Sequence, residues 1–121
     1  MKKIKTRVPR RTVSAAILQL CEEQHALALA KGFWADGQDH IAIKCERVHA
    51  EVSELCDTFA RGTNDDPDEH CPGYSRAETE WADCLLRLFD MGGRWGFSPN
   101  VVLAKLEYNR ARPLMHGGKK F

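Results

Sequence analysis

Apolar residues recur with a helical period along most of the chain, and no segment of useful length alternates as a strand would. Ile17, Leu20, Cys21, Leu27 and Ala28 mark a first helix, opened by Thr12 or Ser14 and fading near Lys31-Gly32. The turn Asp36-Gly37-Gln38-Asp39 leads into a second helix over about 39–61, closed by Arg61-Gly62. Thr63 to Gly73 is polar, carries Asp65-Asp66-Pro67-Asp68 and Pro72-Gly73, and reads as a loop. Ser75-Arg76-Ala77-Glu78 has the form of a capping box and starts a third helix that runs to about Met91, where Gly92-Gly93 and then Gly96 break it. Ser98 as N-cap and Pro99 at the first helical position open a fourth helix, which Pro113 stops at Arg112. The pattern predicts an all-α protein, a four-helix-type bundle. Its parts are a basic N-terminus (1–12), a helical domain (13–112) and a basic tail (113–121).

On a helical wheel the second helix has an apolar stripe of Ile41, Cys45, Val48, Val52, Leu55 and Phe59, suited to a core. Glu46, His49, Ser53 and Asp57 form a solvent face. Lys44, Arg47, Glu51, Glu54 and Thr58 form a second polar stripe, where a simple amphipathic helix needs only one. The third helix is apolar over a wide arc containing Trp81, Ala82, Cys84, Leu85, Leu86, Leu88 and Phe89. Its single charged stripe holds Glu80, Asp83, Arg87 and Asp90.

These stripes contain Glu51-x-x-Glu54 and Glu80-x-x-Asp83. An i, i+3 pair sets two carboxylates on one face, close enough to share a cation. If the two pairs face each other, four carboxylates meet and repel unless a cation neutralises them. Hard oxygen donors favour Mg²⁺ or Mn²⁺ over zinc, and Mg²⁺ held this way usually also binds substrate phosphates. Lys105, Asn109 and Arg112 share one face of the fourth helix. As a solvent face they complement the helix dipole; as a functional face they offer donors to phosphate or sugar.

Charge changes this picture modestly. The net charge is +1, but residues 1–12 carry six Lys/Arg and no acid, whereas residues 13–104 carry sixteen acids against seven bases. An acidic body argues against a broad nucleic-acid footprint, and the basic start reads most simply as a solubilising terminus. With 121 residues the chain is too short for a two-domain enzyme. No run reaches the roughly 18 apolar residues of a membrane span. Cys21, Cys45, Cys56, Cys71 and Cys84 are odd in number and include no CxxC, and no secretion signal precedes them, so free thiols in a reducing cytoplasm are expected.

Taken together, Lys44 to Arg61 with its ExxE, Glu80 to Asp90 with its ExxD, and Lys105-x-x-x-Asn109-x-x-Arg112-Pro113 resemble the MazG-like nucleotide pyrophosphohydrolases, part of the all-α NTP pyrophosphatase group. Ala30-Lys31-Gly32-Phe33-Trp34 and the ending His116-Gly117-Gly118-Lys119-Lys120-Phe121 resemble short, single-domain members found in phages and bacteria. The resemblance implies hydrolysis of a nucleoside triphosphate to the monophosphate and pyrophosphate. It implies Mg²⁺, with Mn²⁺ as substitute, held by Glu51, Glu54, Glu80 and Asp83, which are also the catalytic acids. It implies phosphate or sugar contacts from Lys44, Lys105, Asn109 and Arg112. It further implies a homodimer or homotetramer whose neighbouring subunits help complete the site, in the cytoplasm of a bacterial or phage-infected cell. Gln24, His25, Phe33 and Trp34 are candidates to contact a base; the alternative is core packing for the aromatics and a surface place for His25. The chain departs from the family in carrying His49-Ala50 directly before the first glutamate, where members often place further acid.

Two rivals come from other classes. Cys21-x-x-x-His25 and Cys45-x-x-x-His49 form a Cys₂His₂ zinc site if their helices face each other, although a buried free thiol is the ordinary explanation for Cys21. A non-catalytic helical interaction or regulatory module using the basic termini is the second, and it leaves the paired acids without a purpose.

Overall fold

The computed structural model describes residues 7–113. Among them are four helices and no strand: α1 (Arg10–Ala30), α2 (Ile41–Ala60), α3 (Arg76–Trp95) and α4 (Asn100–Ala111). The all-α expectation holds. α3 is the hub: α1 packs on one side of it and α2 on another, α4 lies against α1, and α1 and α2 do not pack on each other. Leu114 to Phe121, with the family-like ending, lies outside the described residues, as do residues 1–6.

Boundaries move where backbone hydrogen bonds find partners that the side-chain pattern does not show. α1 starts at Arg10, ahead of Thr12, with Pro9 at the N-cap and no side-chain cap. Arg10 is therefore helical and forms an ion pair with Glu107 of α4. Ser14, expected as an alternative cap, is instead buried inside α1 and donates to Asn100 Oδ1 at 2.7 Å. These two contacts fasten α4. Ser98 does not cap α4: Pro99 occupies the N-cap, and Val101 N–H donates to the Ser98 carbonyl at 3.1 Å. The capping box at α3 forms as expected, with Glu78 N–H donating to Ser75 Oγ at 3.2 Å and Ser75 N–H donating to Glu78 Oε2 at 2.8 Å.

α3 also runs through Gly92-Gly93 and ends only at Gly96, whose φ of 64° suits glycine. The two glycines are an approach surface rather than a stop. A Cβ on Gly93 would stand 2.6 Å from the Cys21 carbonyl oxygen and 2.7 Å from His25 Cβ. α1 thus crosses α3 at a place only a bare backbone allows, and the close packing there outweighs the ~1 kcal/mol helix penalty of each glycine.

The apolar stripe of α2 becomes core only in part, with Cys45, Val48 and Leu55 half-buried. Ile41, Val52 and Phe59 are exposed, while Lys44 and Thr58 of the second polar stripe are buried. Among the described helices α2 packs on α3 alone, and it turns Lys44, Glu51 and Thr58 of its polar stripe toward that seam. Trp81 and Leu88 of α3, and Val101, Leu106 and Tyr108 of α4, are exposed as well. Buried apolar side chains are few among the described residues: Cys21, Ala28, Trp34 and Cys84.

The α1–α3 crossing gives a direct check. Gly93→Ala improves helix propensity, yet it should lower stability by about 1–3 kcal/mol, because the added methyl meets backbone. Thermal and urea melts of the variant measure this; a rise in stability would mean the helices are not in this register.

Candidate metal centre

ExxE on α2 and ExxD on α3 face each other across the α2–α3 seam. One carboxylate oxygen from each of Glu51, Glu54 and Glu80 lies within 4.8 Å of the other two. Asp83 is outside this trio of ligand atoms. One helical turn further along α3, it joins Glu51 in lining an adjoining cavity of about 230 Å³, with Gln24, Phe33, Leu86, Arg87 and Asp90. The four expected acids are therefore brought to one seam, but as three plus one.

Desolvation, a shared hydrogen bond and neighbouring like charge together raise the basicity of these groups. Glu54 is pushed from 4.5 to about 7, first by a hydrogen bond with the Glu51 carboxylate, then by burial and the charges of Glu51 and Glu80. Burial, followed by the charges of Asp83 and Glu51, raises Glu80. Burial and the Glu51 charge raise Asp83, with Arg87 opposing. Glu80 Oε2 is enclosed and has no hydrogen-bond partner among the described residues. A buried acceptor left alone is costly. A hard cation on the trio would relieve the repulsion and satisfy that oxygen together, so the donor set fits Mg²⁺ or Mn²⁺.

Arg87 is the built-in counter-charge. Its Nε and Nη2 both donate to Glu51 Oε1, at 3.1 and 3.0 Å, and its guanidinium lies 5.7 Å from the Phe33 ring centre. Asp90, one turn on, is buried and ties three segments together. It accepts from Trp34 Nε1 at 3.0 and 3.1 Å and from His25 Nδ1 at 2.8 Å. Lys44 completes this knot: its ammonium donates to the Phe33 carbonyl and sits 4.0 Å from the Trp34 ring centre. Neither Arg87 nor Asp90 stands out as functional in the sequence. Their signal was their register, since both continue the α3 stripe that starts at Glu80 and Asp83.

Asp68 gives no signal in the sequence beyond its place in a polar loop. Its carboxylate accepts from His70 N–H at 2.9 Å, Cys71 N–H at 2.8 Å and Thr79 Oγ1 at 3.0 Å. These bonds, led by the one from Cys71, lower its basicity. They fold the loop between α2 and α3 against Glu80, where Pro67, Asp68, His70 and Arg76 share a pocket with it.

The α4 candidates stand apart from the acids. α4 packs on neither α2 nor α3. Lys105 and Arg112 flank Tyr108, at 4.5 and 5.7 Å from its ring centre, and the Asn109 carbonyl accepts from Arg112 N–H. Among the base-contact candidates, Gln24 and Phe33 line the cavity beside Glu51, whereas His25 and Trp34 are engaged by Asp90. His25 is not on the surface, because the buried Asp90 draws its ring inward. The zinc alternative fails on geometry: Cys21 and His25 sit on α1 and face α3, while Cys45 and His49 are on α2, which α1 does not touch.

Comparison of the chain with protein-family models, with curated proteins and with solved structures gave no match.

The raised Glu54 sets a sign for pH. Between about 4.5 and 7 the folded protein holds a proton that the unfolded chain releases. Cation-free protein should therefore lose stability as pH rises through that window. Added Mn²⁺ should restore it at pH 7.5 and should release protons on binding near pH 6. Melting curves with and without metal from pH 4.5 to 8 check this, and Glu54→Gln should flatten the metal-free dependence.

Proposed function

We infer that the protein hydrolyses nucleoside triphosphates to the monophosphate and pyrophosphate, as the resemblance to MazG-like enzymes implies. The observation that carries this reading is the meeting of Glu51, Glu54 and Glu80 from two helices, with an unpartnered buried oxygen on Glu80. Such a set calls for a hard divalent cation, and Mg²⁺ or Mn²⁺ bound there would withdraw charge from the phosphates and acidify a water. Glu51, Glu54 and Glu80 are the holding groups. On this reading Asp83, beside them but outside the trio, takes the water's proton. The water oxygen bonds to the α-phosphorus, the α–β bond breaks, and the bridging oxygen leaves with pyrophosphate. Arg87 keeps Glu51 oriented while the charge redistributes.

The exposed stripes support the oligomer. Ile41, Val52 and Phe59 on α2, with Trp81 and Leu88 on α3, are large apolar side chains open to water. A dimer or tetramer would cover them. It would also give Lys105, Asn109 and Arg112 an acid cluster to serve, on a neighbouring subunit rather than their own. The same exposed faces favour one second reading, a non-catalytic helical interaction module, which leaves the carboxylates unused.

Pyrophosphate release from a panel of NTPs and dNTPs, with Mg²⁺, Mn²⁺ or EDTA, separates the two. Metal-dependent release should fall by roughly a hundredfold or more in Glu54→Gln and in Asp83→Asn. Folded protein that turns over no nucleotide would favour the interaction module.

A further inference from the structure

The two basic ends of the chain, far apart in sequence, come together in the fold. α4 runs back along α1: Ser14 pairs with Asn100 and Arg10 with Glu107, so residues earlier in α1 meet residues later in α4. The start of α1 and the end of α4 therefore share one extremity of the molecule. Arg7, Arg10 and Arg11 stand there from one side and Arg110 from the other, all exposed. Glu107 is the single acid of α4. Its Oε1 accepts from Arg10 and, at 2.8 Å, from Arg110 Nη1. One carboxylate thus gathers two guanidiniums and neutralises only one charge.

The remaining positive charge is not answered nearby. Arg7 and Arg11 take no part in an ion pair among the described residues. Beyond Arg11 the next acids on α1, Glu22 and Glu23, lie about three helical turns on. The acids of the α2–α3 seam are on helices that α4 does not pack against. Folding alone does not call for this cluster. The start of a helix is its positive end, where an acid adds stability and an arginine costs it. α1 has neither an acid in its first turn nor a side-chain cap.

We propose that this extremity binds the phosphate backbone of a nucleic-acid duplex without regard to sequence. The inference goes beyond the hydrolase reading and does not depend on it. All four cations are arginines, whose planar forks pair with phosphate oxygens two at a time. Lys2, Lys3 and Lys5 precede them directly in the sequence. The patch is narrow, so the acidic body behind it is compatible with a local contact. A lipid surface fits less well, because apolar and charged positions interleave around α4 instead of parting to opposite faces. Lys105, Asn109 and Arg112 lie about 100–160° around α4 from Arg110 and are not part of the patch.

Fluorescence anisotropy of a short mixed-sequence DNA duplex, titrated with the full chain, tests this. Four phosphate contacts imply an affinity that falls roughly a hundredfold between about 50 and 200 mM salt, and two imply roughly tenfold. The parent protein should show the steeper dependence, and equally so on a duplex of unrelated sequence. Arg7→Gln/Arg11→Gln removes two exposed side chains that hold no ion pair. It should show the shallower dependence, with affinity at low salt weakened at least about tenfold. Lys31→Gln/Arg61→Gln removes the same charge at the far ends of α1 and α2 and should bind as the parent does. Melting curves verify that both variants fold. No duplex binding at low salt, or equal weakening in the two double variants, would overturn the proposal. So would polyglutamate competing as well as DNA, which points to an acidic protein, or binding to anionic phospholipid vesicles but not to the duplex.

Discussion

Electrostatic repulsion between α2 and α3 is the constraint around which the molecule is arranged. Two helices meet through carboxylates, and three of their oxygens lie within 4.8 Å of one another. Each like-charge pair at that range costs on the order of a few kcal/mol at an effective permittivity near 20, less where solvent reaches Glu54. A chain that needed only stability would pack α2 through Ile41, Val52 and Phe59 instead. Here the polar stripe turns inward. A proton on Glu54 and the guanidinium of Arg87 are what the protein itself offers against the repulsion.

The second constraint is the buried Asp90, which joins α3 to His25 of α1 and to Trp34 of the following loop. Lys44 reaches that loop from α2 through the Phe33 carbonyl and the Trp34 face. α1 and α2 never touch as helices, yet the short segment between them is pinned from both α2 and α3. This pinning sets Phe33 and Arg87 side by side on the wall of the cavity that Glu51 and Asp83 line. Site and fold are held by the same few side chains.

Much of this was legible in the sequence. Helical periodicity, the Ser75–Glu78 box and the closing turns at Lys31-Gly32 and Arg61-Gly62 located the helices within a few residues. The double polar face of α2 was the clearest hint that its acids are not ordinary surface acids, and the structure turns that face to α3. Less was legible where meaning depends on a partner distant in sequence. Gly92-Gly93 reads as a break until Cys21 and His25 are seen against it. Asp90 reads as one more charge until Trp34 and His25 close on it. The apolar stripe of α2 reads as core because a wheel records amphipathicity, not which neighbour is there to receive it.

The two packing surfaces of α3 answer to different solvents. Its seam with α2 is ionic, held and strained by charge, whereas its crossing with α1 is a close approach of backbone and thiol at Gly92 and Gly93. Simple monovalent salt therefore acts on the first through screening and hardly on the second. Osmolytes excluded from protein surface favour tight burial and act more evenly on both. In a cation-free protein the α2 side is accordingly the part whose rigidity follows the ionic surroundings, while α1 and α3 remain a fixed frame beside it.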